Sequence, residues 1–271
     1  MCTVIVGFDP EAATPLVLAA LRDEMLDRAW EVPAAHWPDR PDLVGGRDSR
    51  EGGTWLAARR AGAPGTPGVA ALLNGIPPGA ASPADTTVPP GTTRYSRGRL
   101  PLAAAAGGKL DLDPDEARHY DPFHLLVADP DRAVLDSWDG GSLREEPLPV
   151  GVTVLVNSGC DAEAPRARRH RPVFDRTRPD PGEPELAAAD SVEAVWGEWP
   201  ALLDEAARGD ARTGGFGAGA DAPASLFARS EFAGGRVWAT SSVTLLALGR
   251  GTLRYAFSAR PGDPAAWYLV R

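Results

Sequence analysis

The chain begins with Met-Cys-Thr-Val-Ile-Val-Gly-Phe at positions 1–8, and this stretch decides the fold. Thr3 to Phe8 is apolar and rich in β-branched residues, and Asp9-Pro10 ends the run, so it predicts a buried strand. Leu16 to Leu21 predicts a second strand. The polar residues Arg22-Asp23-Glu24 come directly after it. We therefore expect them at the end of a sheet, where a rigid scaffold carries functional groups.

The rest of the sequence predicts a β-rich chain with few helices. Ser191 is a favourable N-cap for an amphipathic helix that reaches about residue 208, with a kink at Pro200. A short Ala-rich helix is predicted at 100–106. The long Pro- and Gly-rich stretch at 75–93 predicts a lid or a disordered crossing, and the charged stretch at 166–184 predicts an exposed loop. Further strands are predicted at 54–59, 68–73, 123–128, 133–138, 150–156, 237–248, 253–257 and 267–270.

Composition limits the class of protein. With 271 residues, 43% of them hydrophobic, the chain can bury a full core, and we expect one domain over 1–271. The formal net charge of -9 argues against nucleic acid and anionic membranes as partners, so a small molecule is expected. The sequence has no apolar run of about 18 residues and no signal-peptide pattern, which predicts a cytoplasmic protein without membrane insertion. Abundant arginine beside a single lysine is typical of a G+C-rich bacterial genome. The oligomeric state stays open.

The thiols, histidines and glycines predict no cofactor and no metal site. Cys2 and Cys160 are the only cysteines and are far apart, so neither a disulfide framework nor a zinc cluster is expected. His119 and His124 lack a partner pair at metal-ligand spacing. The basic run Arg166 to Arg171 is interpreted as a solvated loop. The glycines at 214–219 do not follow the dinucleotide-binding pattern and predict a flexible linker.

A series of short motifs follows one another along the chain. The motifs are Met1-Cys2-Thr3, Leu21-Arg22-Asp23-Glu24, Gly45-Gly46-Arg47-Asp48, Gly52-Gly53-Thr54-Trp55-Leu56, Ala71-Leu72-Leu73-Asn74, Ser96-Arg97-Gly98-Arg99-Leu100, Asp121-Pro122-Phe123-His124-Leu125-Leu126, Gly151 to Asn157 and Thr240 to Leu246. The series resembles the NRDE family, which includes the transport and Golgi organisation 2 protein. The order and spacing of the motifs in the N-terminal half carry the resemblance.

The resemblance implies an α+β fold, an Ntn-hydrolase-like four-layer αββα sandwich with two antiparallel sheets. Removal of Met1 would expose Cys2 as the first residue. A thiol is nucleophilic only as thiolate, and an α-amino group with a pKa of roughly 7.7 to 8 on the same residue can accept its proton. Read without the family, a lone cysteine near a chain end is usually a small core residue.

Four further residues are candidates for the site. Asn74 and Asn157 resemble the asparagines that frame the cleft of cysteine Ntn amidases and would donate to an oxyanion. Arg22 would favour the thiolate, and Asp23 would orient the amine. Each has a simpler interpretation, since Asn74-Gly75 and Asn157-Ser158-Gly159 are turn signals and Arg22-Asp23 could be a surface pair.

Two departures from the family pattern bear on catalysis. The leading Asn of one motif is replaced by Leu21, whose apolar side chain cannot supply amide hydrogen bonds. Ser241 stands where relatives usually carry Arg, and a serine cannot replace that charge.

Two functions remain open. One is a hydrolase of non-peptide linear amides, such as N-acyl compounds, with Cys2 as the nucleophile. The other is a ligand-binding or trafficking protein for haem or lipid that keeps the cleft without turnover, with Cys2 or His36 as a ligand. No haem-binding motif is present.

Overall fold

The computed structural model describes residues 3–62, 66–76, 88, 91–212, 222–232 and 234–270, and their strands form two antiparallel sheets. The strands of the first sheet are β1 (Thr3–Phe8), β2 (Leu16–Met25), β10 (Gly151–Leu155), β11 (Arg229–Glu231), β12 (Val237–Leu248), β13 (Leu253–Ser258) and β14 (Tyr268–Leu269). Their order in the sheet is β10-β1-β2-β12-β13-β14, with β11 also paired to β12.

The second sheet follows the order of the sequence from β3 to β9, so each of its strands pairs with the next along the chain. Short turns suffice for such antiparallel neighbours. Its strands are β3 (Trp30–Ala34), β4 (Leu43–Asp48), β5 (Leu56–Arg59), β6 (Gly68–Asn74), β7 (Phe123–Ala128), β8 (Ala133–Trp138) and β9 (Leu143–Pro147).

Helices cover the outer faces of both sheets. The helices are α1 (Leu100–Gly107), α2 (Pro114–Ala117), α3 (Pro165–Arg176), α4 (Glu183–Ala188), α5 (Val192–Trp196) and α6 (Trp199–Arg212). α1 lies on the second sheet, where Leu100 and Ala104 pack among the buried residues of its outer face. Phe174, Leu186 and Trp199 of the later helices pack on the first sheet.

Alternation along β1 shows how the layers form. Val4 and Val6 enter the core between the two sheets, whereas Ile5 points to the helices on the opposite face. This period of two is what a strand imposes on its side chains. Helix, sheet, sheet and helix therefore stack in that order, and the predicted sandwich of two antiparallel sheets between helical layers is confirmed.

The second strand is longer than predicted. β2 runs to Met25 because its second half pairs with β12, with an irregularity between Thr240 and Ser242. Arg22 and Asp23 therefore lie inside a strand and not after its end. Both are buried, so the interpretation of a surface pair is wrong.

The prediction of an exposed loop over 166–184 is wrong, because α3 and α4 occupy most of it. Charged residues dominate the stretch, yet Ala167 and Phe174 of α3 form a narrow apolar face that packs on the first sheet. Tertiary packing of such a face stabilises a helix that composition alone does not predict.

The single kinked helix predicted after Ser191 is two helices. Ser191 caps α5 as predicted, accepting from the amide of Ala194, but the chain turns at Gly197, where φ is 54° and ψ is -120°. Only glycine adopts that backbone readily. Pro200 then falls in the first turn of α6, where its missing N–H leaves no hydrogen bond unmade.

Several predictions fall on positions that the structure leaves undescribed. Cys2, the segment 214–219 and most of the proposed lid at 75–93 lie outside the described residues.

Four strands, β3, β4, β9 and β11, were not predicted from the sequence. Within the described parts of the chain, no helix is long and apolar enough to cross a membrane.

Candidate functional site

A cleft of about 400 Å³ opens where the second half of β2 meets the ends of β4 and β6. Among the described residues, five arginines and five carboxylates line it, so the formal charges of that part of the lining balance. The charged residues are Arg22, Asp23, Glu24, Arg28, Asp48, Arg50, Glu51, Arg94, Arg97 and Asp121, and the others are Gly53, Thr54, Trp55, Leu72, Asn74, Tyr95, Ser96 and Gly98.

Arg22 lies between aromatic and acidic groups. Its guanidinium carbon is 4.3 Å from the ring centroid of Trp55, and one nitrogen is 3.8 Å from an oxygen of Asp48. It also donates to the hydroxyl of Ser241 at 3.0 Å. A planar guanidinium can stack and donate at the same time, which an ammonium cannot. These contacts hold a cation at the wall of the cleft.

Asp48 holds together the acidic side of the cleft. It accepts from Arg28 at 2.5 Å and from the backbone amides of Arg50 and Glu51 at 3.0 Å. Burial acts to raise the pKa of Asp48, but these hydrogen bonds outweigh burial and lower it. The carboxylate therefore stays ionised as the partner of Arg28 and Arg22.

Asp23 is 4% exposed and accepts a hydrogen bond from the Thr240 hydroxyl at 2.6 Å. Burial raises the pKa of Asp23, although nearby positive charge, that of Arg166 included, and the Thr240 hydrogen bond act in the opposite direction. A carboxyl in these surroundings can exchange a proton or hold a cation.

The two candidate asparagines meet although they are far apart in sequence. The side-chain amide of Asn157 donates to the backbone carbonyl of Asn74 at 2.5 Å. Asn157 lies in a tight turn closed by a bridge between Val156 and Gly159, so that turn signal is confirmed. Its Oδ1 is buried without a hydrogen-bond partner among the described residues. Asn74 lines the cleft, whereas Asn157 supports it from behind.

His124 supports the same pair of asparagines. Its ring nitrogens lie 2.7 Å from the hydroxyl of Ser137 and 3.1 Å from the carbonyl of Asn157. Burial lowers the pKa of His124, although the carbonyl of Asn157 acts in the opposite direction. The imidazole is therefore neutral at pH 7 and links β7, β8 and the turn of Asn157.

The segment around Arg94 to Arg99 forms another wall of the cleft. It is held by close backbone contact, since the Thr54 amide donates to the Gly98 carbonyl at 2.9 Å, and a Cβ on Gly53 would meet that carbonyl at 2.5 Å. Arg97 donates to the carbonyl of Pro122 at 2.7 Å. Arg94 forms an ion pair with the buried Asp121.

The first 189 residues of the chain show its family. A sequence model described as transport and Golgi organisation 2 matches residues 1–189, which include Arg22, Asp23, Asn74 and Asn157. The chain belongs to the transport and Golgi organisation 2 family. No curated protein matches the chain.

Residues beyond the matched part complete the site of this transport and Golgi organisation 2 family chain. Thr240 and Ser241 of β12 contact Asp23 and Arg22, respectively. Ser241 adds no charge, but its hydroxyl accepts from one Arg22 nitrogen and donates to the Arg22 carbonyl at 3.2 Å. Leu21 packs on the side of the first sheet that faces the helices and does not line the cleft.

Arg166 is the residue near the site that sequence reasoning missed. It is 2% exposed, donates to the carbonyl of Ser225 at 2.7 Å, and also donates to the hydroxyl of Thr3, the residue bonded to Cys2. The interpretation of the run from Arg166 to Arg171 as a solvated loop is therefore wrong for its first member. The signal that could have indicated the helix is the spacing of Ala167 and Phe174, seven residues or two helical turns apart, which the charge of the run obscured.

The remaining candidates lie outside the cleft. His36 contacts the carbonyl of Val32 at 2.8 Å, and His119 contacts the carbonyl of Thr93 at 2.7 Å. Cys160 packs against the core between the sheets, and burial raises the pKa of its thiol. No three His, Cys, Asp or Glu side chains of the described residues are arranged to hold a metal ion.

Proposed function

We propose that this chain is an N-terminal-cysteine hydrolase of non-peptide linear amides, such as N-acyl compounds, in which removal of Met1 exposes Cys2. The observation that carries the proposal is the position of Arg22 and Asp23, which follow the strand partner of Thr3 and line a cleft shared with Asn74. Cys2 is bonded to Thr3, which pairs with Leu21 and accepts a hydrogen bond from Arg166.

The register of the first two strands supports a role for Arg22. Thr3, the residue bonded to Cys2, pairs with Leu21, the residue directly before Arg22. A guanidinium at that point favours a thiolate over a thiol. Asp23 follows, and a carboxylate there can hold the α-ammonium group that forms when the amine accepts the thiol proton.

The proposed reaction has two balanced steps. The Cys2 thiolate attacks the amide carbonyl carbon, the C–N bond breaks, and the leaving amine takes the proton held by the α-ammonium group. Water then attacks the thioester, giving the carboxylic acid and restoring the thiol. An amide N–H group of Asn74, which lines the cleft, would stabilise the tetrahedral oxyanions. Asn157, also expected as a donor, lies behind that lining and would act by holding the Asn74 carbonyl.

A binding protein without turnover is the second candidate, and Leu21 favours it. Its side chain is 1% exposed in the core and cannot contribute a polar group to the cleft. The charged lining suits a polar ligand better than haem. His36 is absent from that lining and bonds to a backbone carbonyl, so it supports no haem ligand role.

Intact-protein mass spectrometry with a small thiol-directed electrophile tests the proposal. We expect the mass of a chain without Met1 and selective labelling of Cys2 near neutral pH, located by peptide mapping. The Cys2→Ser variant should lose this labelling, and Cys160→Ser should keep it. Retained Met1, or labelling of Cys2 no faster than that of an ordinary thiol, would contradict the hydrolase and leave ligand binding as the function to measure.

A further inference from the structure

Arg166 joins three parts of the chain through one buried guanidinium. It lies in the first turn of α3, and its Nε donates to the Ser225 carbonyl at 2.7 Å. One of its terminal nitrogens donates to the hydroxyl of Thr3, the first residue of β1. The side chain therefore ties α3 and the turn before β11 to the start of the first strand.

A buried guanidinium must be compensated by hydrogen bonds or opposite charges, because removing a charge from water is unfavourable without them. Only 2% of Arg166 is exposed. The positive charge of Arg166 opposes the rise that burial causes in the pKa of Asp23. Other charged or titratable groups near Arg166 are His170 and the exposed Arg169 on α3, Asp210 on α6 and, on β2, Arg22.

The neighbours of Arg166 do not supply the same charge. Arg22 faces the cleft, where Asp48 lies 3.8 Å from it. Burial lowers the pKa of His170, although the Ala224 carbonyl acts in the opposite direction, so His170 is neutral at pH 7. Arg166 donates to the hydroxyl of Thr3 from the side of β1 that faces the helices.

We infer that Arg166 is a positioning residue of the proposed hydrolase: its hydrogen bond to Thr3 fixes the start of β1, and its buried charge lies on the face of the sheet that also carries Asp23. The inference rests on the proposed function. Without Arg166, the start of β1 loses a hydrogen-bond partner, and Asp23 loses a positive charge that favours its ionised form. Both losses disfavour the thiolate-ammonium form, so they slow Cys2 in the same direction.

The pH dependence of Cys2 alkylation tests the inference, with the rate measured from pH 5 to 10 by mass spectrometry. We expect Arg166→Gln to slow labelling at neutral pH by about tenfold and to move the profile to higher pH. Arg166→Lys keeps the charge and should stay close to the parent profile. Arg168→Gln is the matched control, because Arg168 is exposed on the same helix and should leave the profile unchanged.

The outcomes separate the two proposals. A parent protein whose Cys2 reacts like an ordinary thiol overturns both. A fast parent together with an equally fast, folded Arg166→Gln variant overturns only the role of Arg166. Circular dichroism checks folding. Should Arg166→Gln not fold, Arg166→Lys decides alone, because a Lys variant with the profile of an ordinary thiol would show that the retained charge has no effect.

Discussion

At the scale of the residue, Asp136 shows how burial couples a single carboxyl to stability. It is 5% exposed on β8, and burial together with the charge of Glu145 raises its pKa from 3.8 to about 6, although Arg132 acts in the opposite direction. The folded state then binds the proton more tightly, so stability falls as pH rises from about 4 to about 6. Asp136→Asn should therefore stabilise the protein at pH 7.5 by on the order of 1 to 2 kcal/mol and have little effect at pH 4.

Urea unfolding followed by circular dichroism at both pH values measures this difference. Asp39→Asn is the control, because it removes the same charge from a side chain that is 78% exposed. It should change the free energy of unfolding by less than about 0.5 kcal/mol at either pH. An Asp136→Asn effect of equal size at pH 4 and pH 7.5 would show that ionisation of Asp136 is not the cause.

At the scale of the element, the wall of the cleft formed by the segment around Arg94 to Arg99 depends on Gly53. A Cβ at that position would meet the carbonyl carbon and oxygen of Gly98 at 2.5 Å, and backbone atoms cannot turn aside as a flexible side chain can. Gly53→Ala should therefore push that segment away and destabilise the protein by about 1 to 3 kcal/mol. Thermal unfolding measures the loss.

Gly107→Ala is the matched control for Gly53→Ala. Gly107 ends α1 with nothing within 4 Å of an added Cβ, and alanine is the better helix former by about 0.5 to 1 kcal/mol. This variant should unfold at the same temperature as the parent or slightly higher. If both variants unfold together, the close approach of Gly53 and Gly98 does not restrain the wall.

At the scale of the whole molecule, the helical layer on the first sheet is held by large buried aromatic side chains. Phe174 of α3 and Trp199 of α6 meet edge to face with their ring centroids 5.1 Å apart, and both are at most 2% exposed. Because this contact joins α3 and α6 over one sheet, Phe174→Ala should cost about 3 to 5 kcal/mol of unfolding free energy. Urea denaturation gives the value.

Val150→Ala provides the comparison for Phe174→Ala. Val150 is 65% exposed just before β10, and its truncation should change stability by less than about 0.5 kcal/mol. A Phe174→Ala variant as stable as Val150→Ala would mean that the packing of α3 against α6 contributes nothing to the stability of the sandwich.

Residue patterns predicted most of the strands, and the resemblance to the family predicted the two antiparallel sheets and the residues that line part of the cleft. Alternation and apolar runs are local properties, so β1, β6, β7 and β8 could be recognised from their own residues. Arg22, Asp23 and Asn74 came from motifs that resemble the family, and the structure brings them to one cleft. The proposed roles of these residues remain predictions.

Tertiary structure alone decided the features that depend on distant parts of the chain. The length of β2 is set by its pairing with β12, and Asn74 meets Asn157 across the fold. The burial of Arg166 depends on Thr3 and Ser225, residues far from it in sequence. A sequence pattern reports which face of an element is apolar, whereas the desolvation of a charge depends on which other elements cover it, and those contacts form only when the chain folds.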